Sequence, residues 1–297
     1  MAFHQHLPRI LLLPLLSLAT IVWAQESQDA AEQINRWYQI ELVVFSQKTA
    51  DQGQERWHGD ITLAYPPNYQ LLRAPVTEAD LNSASGNLSG AINRATDLER
   101  DPFYFLPANM RQLTANARAM SREGRQILFH ETWRQPLTDA NSAPALIISG
   151  GDRYGNHNEL EGSISISVAR YLHLQTNLWL TSFVRNYGTQ QDSEQSVKWP
   201  ALPLRPDLKA SSVAAPPDVA EQSQDAWQQI AETKSVYEEL LEQPYITNRV
   251  ALLQQQRRMR SSELHYIDHP LMGVLIKITP YQQAQAPEAS LQQITAQ

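Results

Sequence analysis

Alternating hydrophobic and polar residues predict several β-strands along the chain. In the clearest alternation Ile164, Ile166 and Val168 are interleaved with serines, so one face suits a core and the other suits water. The alternation continues over Leu172–Leu180, which predicts two strands or one long bent strand. Similar patterns predict further strands over Tyr38–Phe45, Gln126–Arg134, Arg249–Gln256 and Met272–Ile278.

Other segments have the composition of helices and loops. Met110–Arg122 is rich in Ala, Leu, Met and Arg and is followed by Gly124, which predicts a helix. Asp218–Glu242 carries apolar residues at helical spacing and predicts an amphipathic helix. Residues 47–107 read as a long loop with a short strand near Ile61–Tyr65. Together these patterns predict an α+β fold, with a mostly antiparallel sheet, a few packed helices and long loops.

The N-terminus has the layout of a secretory signal peptide. Arg9 precedes the apolar stretch Ile10–Val22, which at about 13 residues falls short of the ~20 that cross a bilayer. We expect cleavage after Ala24, with an uncleaved anchor as the alternative. The mature chain is then expected to consist of the N-terminal part of one domain (25–186), a Pro/Ser-rich linker (187–217), and an amphipathic helix with C-terminal strands that complete the domain (218–297).

The amino-acid composition limits which cellular compartment and which classes of binding partner are compatible with the chain. The chain contains no cysteine, so neither a lipoprotein anchor nor a disulfide is available, and burial must hold the exported fold together. Its net charge is −7, and loss of Arg9 with the signal peptide makes it −8. An acidic chain is a poor ligand for nucleic acid. These features predict a soluble periplasmic protein without stable membrane insertion.

The chain shows no established catalytic motif. It lacks a G-x-S-x-G elbow, a phosphate-binding loop and a cysteine nucleophile. His265 and His269 have the spacing of a zinc helix, but Pro270 disfavours helical geometry at His269. Gly150, Gly151 and Asp152 are interpreted as a loop turn. We therefore expect neither an enzyme nor a metal or cofactor site.

Five blocks of sequence resemble the CsiV family of periplasmic peptidoglycan-binding proteins. They occur in the family's order and span nearly all of the mature chain: Trp37–Phe45, Phe129–Pro136, Arg170–Leu174, Asn177–Leu180 and Arg257–Gly273. The resemblance implies a non-enzymatic periplasmic protein that binds peptidoglycan and supports the machinery that builds the cell wall. From the family's role, the implied partner is a penicillin-binding synthase or its outer-membrane lipoprotein activator.

Peptidoglycan chemistry suggests which side chains bind it. Its stem-peptide carboxylates suit arginine forks, and its sugar faces suit aromatic rings. The densest mixture of such groups consists of Arg257, Arg258 and Arg260 with His265 and Tyr266. A stacking surface is predicted on one strand face, which carries Tyr171, His173 and Trp179. The alternatives are a solvated strand edge for the arginines and a helix-covered face for the rings.

The sequence leaves two classes of function. A binding or adaptor protein of cell-wall synthesis accounts for the signal peptide, the family blocks and the missing catalytic motif together. A periplasmic peptidoglycan hydrolase is the alternative, and it requires paired carboxylates or a metal site.

Overall fold

The computed structural model describes residues 36–47, 61–83, 94–186, 199–208 and 244–283. The predicted signal peptide and the predicted helix over Asp218–Glu242 lie outside these ranges. Of the predicted linker, only residues 199–208 are described. None of the helices within the described ranges is long and apolar enough to cross a bilayer.

Strands make up most of the described chain. In order, the elements are β1 (Trp37–Ser46), β2 (Tyr69–Leu71), α1 (Glu78–Ser83), a short 3-10 turn (Ala108–Met110), α2 (Thr114–Arg122), β3 (Ile127–Pro136), β4 (Ala145–Tyr154), β5 (His157–Val168), β6 (Leu172–Arg185), β7 (Tyr245–Met259), β8 (Leu264–His269) and β9 (Met272–Tyr281). The long alternation after Ser163 therefore forms two strands, β5 and β6.

The strands form two sheets rather than one. The four-stranded sheet has the order β3-β1-β9-β8, and the five-stranded sheet has the order β2-β4-β5-β6-β7. Every pairing is antiparallel except the short parallel contact of β2 with β4. The expectation of a mostly antiparallel fold with few helices is thus confirmed, although sheets dominate it more strongly than an α+β label suggests.

The two sheets face each other across one hydrophobic core. Apolar residues at every second position along the strands supply it, among them Ile40, Leu42, Val44, Ile164, Ile166, Leu174, Leu178, Val274 and Ile276. Each of these side chains is essentially buried, and full burial of such a side chain stabilises a fold by about 1.5–3 kcal/mol. Burial therefore replaces the disulfides that the chain lacks.

Helix α2 covers the opposite face of the four-stranded sheet. Leu113 and Ala117 pack there against Val43, Phe45 and Leu275. The predicted helix began at Met110, but α2 begins at Thr114 because the preceding residues form the 3-10 turn and then an extended link.

Three segments differ from the sequence-based prediction. The strand expected near Ile61–Tyr65 is not formed; the short strand is β2, which pairs with the start of β4. Strand β8 lies in a region that was expected to connect two strands. The loop turn predicted at Gly150 and Gly151 is wrong, because both glycines lie within strand β4, which has a β-bulge between Gly150 and Arg153.

The two glycines are explained by close packing within β4. A Cβ atom on Gly150 would lie 2.0 Å from the backbone oxygen of Leu128 in β3, and Gly151 has a φ of +74°. Glycine meets both requirements at a bulge, since it has no Cβ and reaches positive φ easily.

Candidate functional site

Three of the predicted ligand-binding residues, Tyr171, His173 and Arg258, lie together at one end of the outer face of the five-stranded sheet. His173 is on that face of β6, and Tyr171, which is 39% exposed, lies in the bend just before β6. The guanidinium carbon of Arg258 lies 4.6 Å from the centre of the Tyr171 ring, and that of Arg170 lies 5.6 Å from it. His173 is the cross-strand neighbour of Arg258. We call these four residues the Tyr171 patch.

The Tyr171 patch borders a hollow and carries the positive charges of two arginines. The hollow has a volume of about 200 Å³ and is lined by Tyr38, Arg170, Tyr171 and Arg260 among others. Within the described ranges, no carboxylate lies at ion-pair distance from Arg170 or Arg258. The planar guanidinium groups can therefore offer hydrogen-bond donors to an anion.

The other two predicted arginines do not converge with Arg258. Arg257 points to the opposite face of β7, and its Nη1 donates a hydrogen bond of 2.7 Å to the backbone oxygen of Tyr266. Arg260 lies 3.6 Å from Glu263 in a strongly exposed ion pair. His265 Nε2 contacts the backbone of Arg260, at 3.2 Å from N and 3.1 Å from O. Arg257 thus connects the edges of the two sheets.

Tyr266 is held by the four-stranded sheet. Its ring stacks on Phe45 at 6.3 Å between centroids, and its hydroxyl donates to Asp268, which also accepts from Gln47 at 2.7 Å. Burial and the bond to Asp268 raise the pKa of the Tyr266 hydroxyl. The bonds from Tyr266 and Gln47 lower the pKa of the Asp268 carboxyl.

The two-histidine pattern does not form a zinc helix, because His265 and His269 lie in strand β8. Residues four apart in a strand are separated by about 13 Å, too far to share a metal ion. Within the described part of the chain, no group of three His, Asp or Glu side chains could hold a metal ion.

Trp179 is not part of an accessible stacking surface. It is fully buried, and the ring of Tyr65 covers it with 5.0 Å between centroids. The covering segment is fixed nearby, since Asn177 Nδ2 donates a hydrogen bond of 2.9 Å to the backbone oxygen of Ala64. The alternation places Trp179 on the outer face, but it gives no sign that Ala64 and Tyr65 cross this face.

A larger cavity, which the sequence did not indicate, lies at the other end of β6. It has a volume of about 620 Å³ and is lined by the rings of Tyr154, Phe183 and Tyr245. Tyr154 stacks on Phe183 at 4.7 Å and meets Tyr245 edge-on at 5.0 Å. His157, Asn156 and Thr247 add polar groups to the wall. We call this cavity the aromatic pocket.

Local structure positions the rings of the aromatic pocket. Tyr154 and His157 pair across the β4–β5 turn, and Gly155 in that turn has a φ of +62°. Phe183 lies beside a register shift in the pairing of β6 with β7. A two-residue Gly-Asn connection is a hairpin signal, so the sequence contained a clue to this turn.

The polar groups of the aromatic pocket are also fixed. Glu161 is fully buried, and its carboxylate lies 3.0 Å from His157 Nδ1 and accepts a 3.0 Å bond from the backbone N of Asn158. Burial and the negative charges of Glu159 and Asp152 raise the pKa of the Tyr154 hydroxyl, so it remains a neutral donor. No carboxylate occurs among the described residues that line the pocket. This is the make-up of a binding site: apolar rings with a few oriented polar groups.

Comparison with known proteins identifies the family. No curated protein and no solved structure matches the chain. A family model described as "Peptidoglycan-binding protein, CsiV" matches residues 11–281, which is most of the chain and includes every described strand. The chain therefore belongs to the CsiV family of peptidoglycan-binding proteins.

Proposed function

We propose that the protein binds peptidoglycan in the periplasm without catalysing a reaction, and that sugar rings of the ligand dock in the aromatic pocket. The observation that carries the proposal is the meeting of Tyr154, Phe183 and Tyr245 in one cavity of a protein from a peptidoglycan-binding family. The apolar faces of sugars stack on aromatic rings.

The polar wall of the aromatic pocket suits the rest of a sugar. Sugar hydroxyl and acetamide groups both donate and accept hydrogen bonds. The neutral Tyr154 hydroxyl, Asn156 and Thr247 can form hydrogen bonds with these groups. His157 is held by the buried Glu161, which limits the side-chain entropy lost on binding.

The Tyr171 patch supports a second contact in the same proposal. Arg170 and Arg258 lie at a ring that is itself exposed, and guanidinium groups bind carboxylates strongly. We assign them to the carboxylates of stem peptides. Arg257 and Arg260 already have protein partners, so we give them a smaller part in binding.

Binding to the wall is proposed to serve cell-wall synthesis, with the protein as an adaptor between peptidoglycan and a synthesis enzyme. The proposed partner remains a penicillin-binding synthase or its outer-membrane lipoprotein activator, on the strength of the family's role. Photo-crosslinking in cells tests this step: capture of either protein supports it, and capture of neither during active wall growth contradicts it.

Co-sedimentation with purified sacculi tests the binding proposal. The mature wild-type protein is expected to pellet with sacculi and to release no soluble fragments. The double variant Tyr154→Ala, Tyr245→Ala is expected to lose roughly tenfold in affinity, since aromatic contacts contribute about 0.5–1.5 kcal/mol each beyond their buried area. Tyr69→Ala removes an exposed tyrosine from β2, outside the pocket, and is the matched control.

Three outcomes contradict the proposal or part of it. Wild-type protein that stays in the supernatant excludes wall binding, and soluble muropeptides released by pure protein indicate a hydrolase instead. If the double variant and the Tyr69→Ala control sediment equally, the aromatic pocket is not the sugar-binding site.

A further inference from the structure

The outer face of the five-stranded sheet carries an ordered array of polar side chains between Trp179 and Tyr171. Three rows run across strands β5, β6 and β7 in register: Ser163, Asn177 and Gln254; Ser165, Gln175 and Gln256; and Ser167, His173 and Arg258. Side chains directly opposite on adjacent strands lie about 5 Å apart. We call these nine residues the polar strip.

The composition of the polar strip favours recognition over simple solvation. Its first two rows contain only serine, asparagine and glutamine, and no charged residue. An outer face that needs only to remain soluble is well served by charges, which these two rows lack. Amides and hydroxyls instead provide donors and acceptors side by side without net charge.

These groups are available to a ligand. Gln175, Gln254 and Gln256 are exposed, and their side chains make no hydrogen bond to any other residue that the structure describes. The neighbouring serines are short; Ser163 and Ser167 are buried, and Ser165 is half-buried. The longer glutamine side chains therefore project beyond the serines, and together they form a shallow groove.

We infer that the polar strip binds the glycan strand of peptidoglycan, with Tyr171 as a stacking ring at one end. The sugar backbone is a chain of N-acetylated rings whose hydroxyl and acetamide groups match uncharged amides. Tyr171 is 39% exposed and supplies an aromatic ring, and the guanidinium carbon of Arg258 lies 4.6 Å from the centre of that ring. This inference rests on the proposed function and gives it a second subsite along the sheet.

The dimensions of the polar strip predict dependence on chain length. From Gln254 to Arg258 the strip covers four residue steps, about 13 Å at about 3.3 Å per residue. That length exceeds one sugar ring, so a single sugar cannot reach all three rows. The strip is separate from the aromatic pocket because Tyr65 and Ala64 cross the sheet at Trp179 and Asn177.

A substitution series on the mature chain tests the inference with two probes, intact sacculi and linear oligomers of N-acetylglucosamine. The triple variant Gln175→Ala, Gln254→Ala, Gln256→Ala removes the exposed amides. Gln255→Ala is the matched control, because it changes the same residue type in the same strand on the opposite face.

Wild-type protein is expected to bind a hexamer at least tenfold more tightly than a dimer. The triple variant is expected to lose roughly tenfold or more on the hexamer and to sediment less with sacculi, since each removed hydrogen bond weakens binding severalfold. The control is expected to match wild type.

The inference is overturned if wild type binds no oligomer, or binds the hexamer no better than the dimer. It is also overturned if the triple variant equals the Gln255→Ala control on sacculi. The proposed function would still hold in each of those cases, provided that the wild type sediments with sacculi and that the double variant Tyr154→Ala, Tyr245→Ala sediments less. Absence of wild-type sedimentation would instead remove the proposed function itself.

Discussion

Glu41 offers a sharp test of how the fold is held together. It is 3% exposed, and its carboxylate accepts hydrogen bonds from the backbone N of Gln112 at 2.6 Å, the backbone N of Leu113 at 2.8 Å and His130 Nε2 at 2.8 Å. The two amides lie just before α2, so this carboxylate in β1 caps the helix from outside. The substitution Glu41→Gln keeps the shape of the side chain but removes its negative charge. It also points an NH2 group toward one of the groups that donate to the carboxylate.

The cost of Glu41→Gln follows from the bonds lost. At least one buried donor is left without an acceptor, at about 1–3 kcal/mol, and the remaining bonds lose their charge assistance. We expect the free energy of unfolding to fall by about 2–4 kcal/mol in urea denaturation near neutral pH. Glu131→Gln, which breaks the partly exposed pair with Arg111, is the control and should cost no more than about 1 kcal/mol.

The dependence of the free energy of unfolding on pH in the acid range tests the same reasoning. Burial would raise the pKa of Glu41, but the bonds from His130, Gln112 and Leu113 outweigh burial and lower that pKa below its usual 4.5. The ionised group therefore stabilises the fold fully above about pH 4.5, and this stability is lost as the pH falls through the lowered pKa. A gap between wild type and Glu41→Gln that stays constant down to about pH 3 would refute the account, as would a gap near neutral pH no larger than that of the control.

Three further predictions concern the site, the core and export. Arg170→Gln with Arg258→Gln should weaken sacculus binding most at low salt, measured by co-sedimentation across ionic strength, and an unchanged salt dependence would contradict the carboxylate assignment. Gly150→Ala should lower the urea midpoint, because its Cβ would meet a backbone oxygen at 2.0 Å and overpacking costs about 1–3 kcal/mol; an unchanged midpoint would show that the sheets can separate there. The periplasmic protein should begin at Gln25 by mass spectrometry, and a chain retaining its signal peptide would contradict cleavage.

Strands with one buried face were predictable, whereas strands with a special backbone were not. Ile164, Ile166 and Val168 alternate with serines because one side of β5 faces the core, so the pattern reports the structure directly. Gly150 in β4 lacks a side chain because another strand passes against it. The need for glycine therefore arises from a tertiary contact, which the local sequence does not show. Considered alone, the local sequence resembles a turn.

The candidate site shows the same division. The sequence alternation placed His173 and Trp179 on one face because both lie in β6, whereas Tyr171 lies in the bend just before that strand. It could not place Arg258 over Tyr171, or Tyr65 over Trp179, because these contacts join segments distant along the chain. The aromatic pocket was missed for that reason too, since its rings come from three different strands.

The position of β1 has a consequence for an exported chain. β1 lies inside the four-stranded sheet, and one of its two neighbours is β9, paired from Trp37 with Tyr281 to Ser46 with Met272. Among the described strands, the first must therefore wait for the last, and such distant pairing is intrinsically slow. If the protein is exported as proposed, a chain still threaded through the membrane cannot close this sheet. Until β9 arrives, the apolar side chains of β1 lack the strand that covers them, and a chain in that state is prone to aggregate.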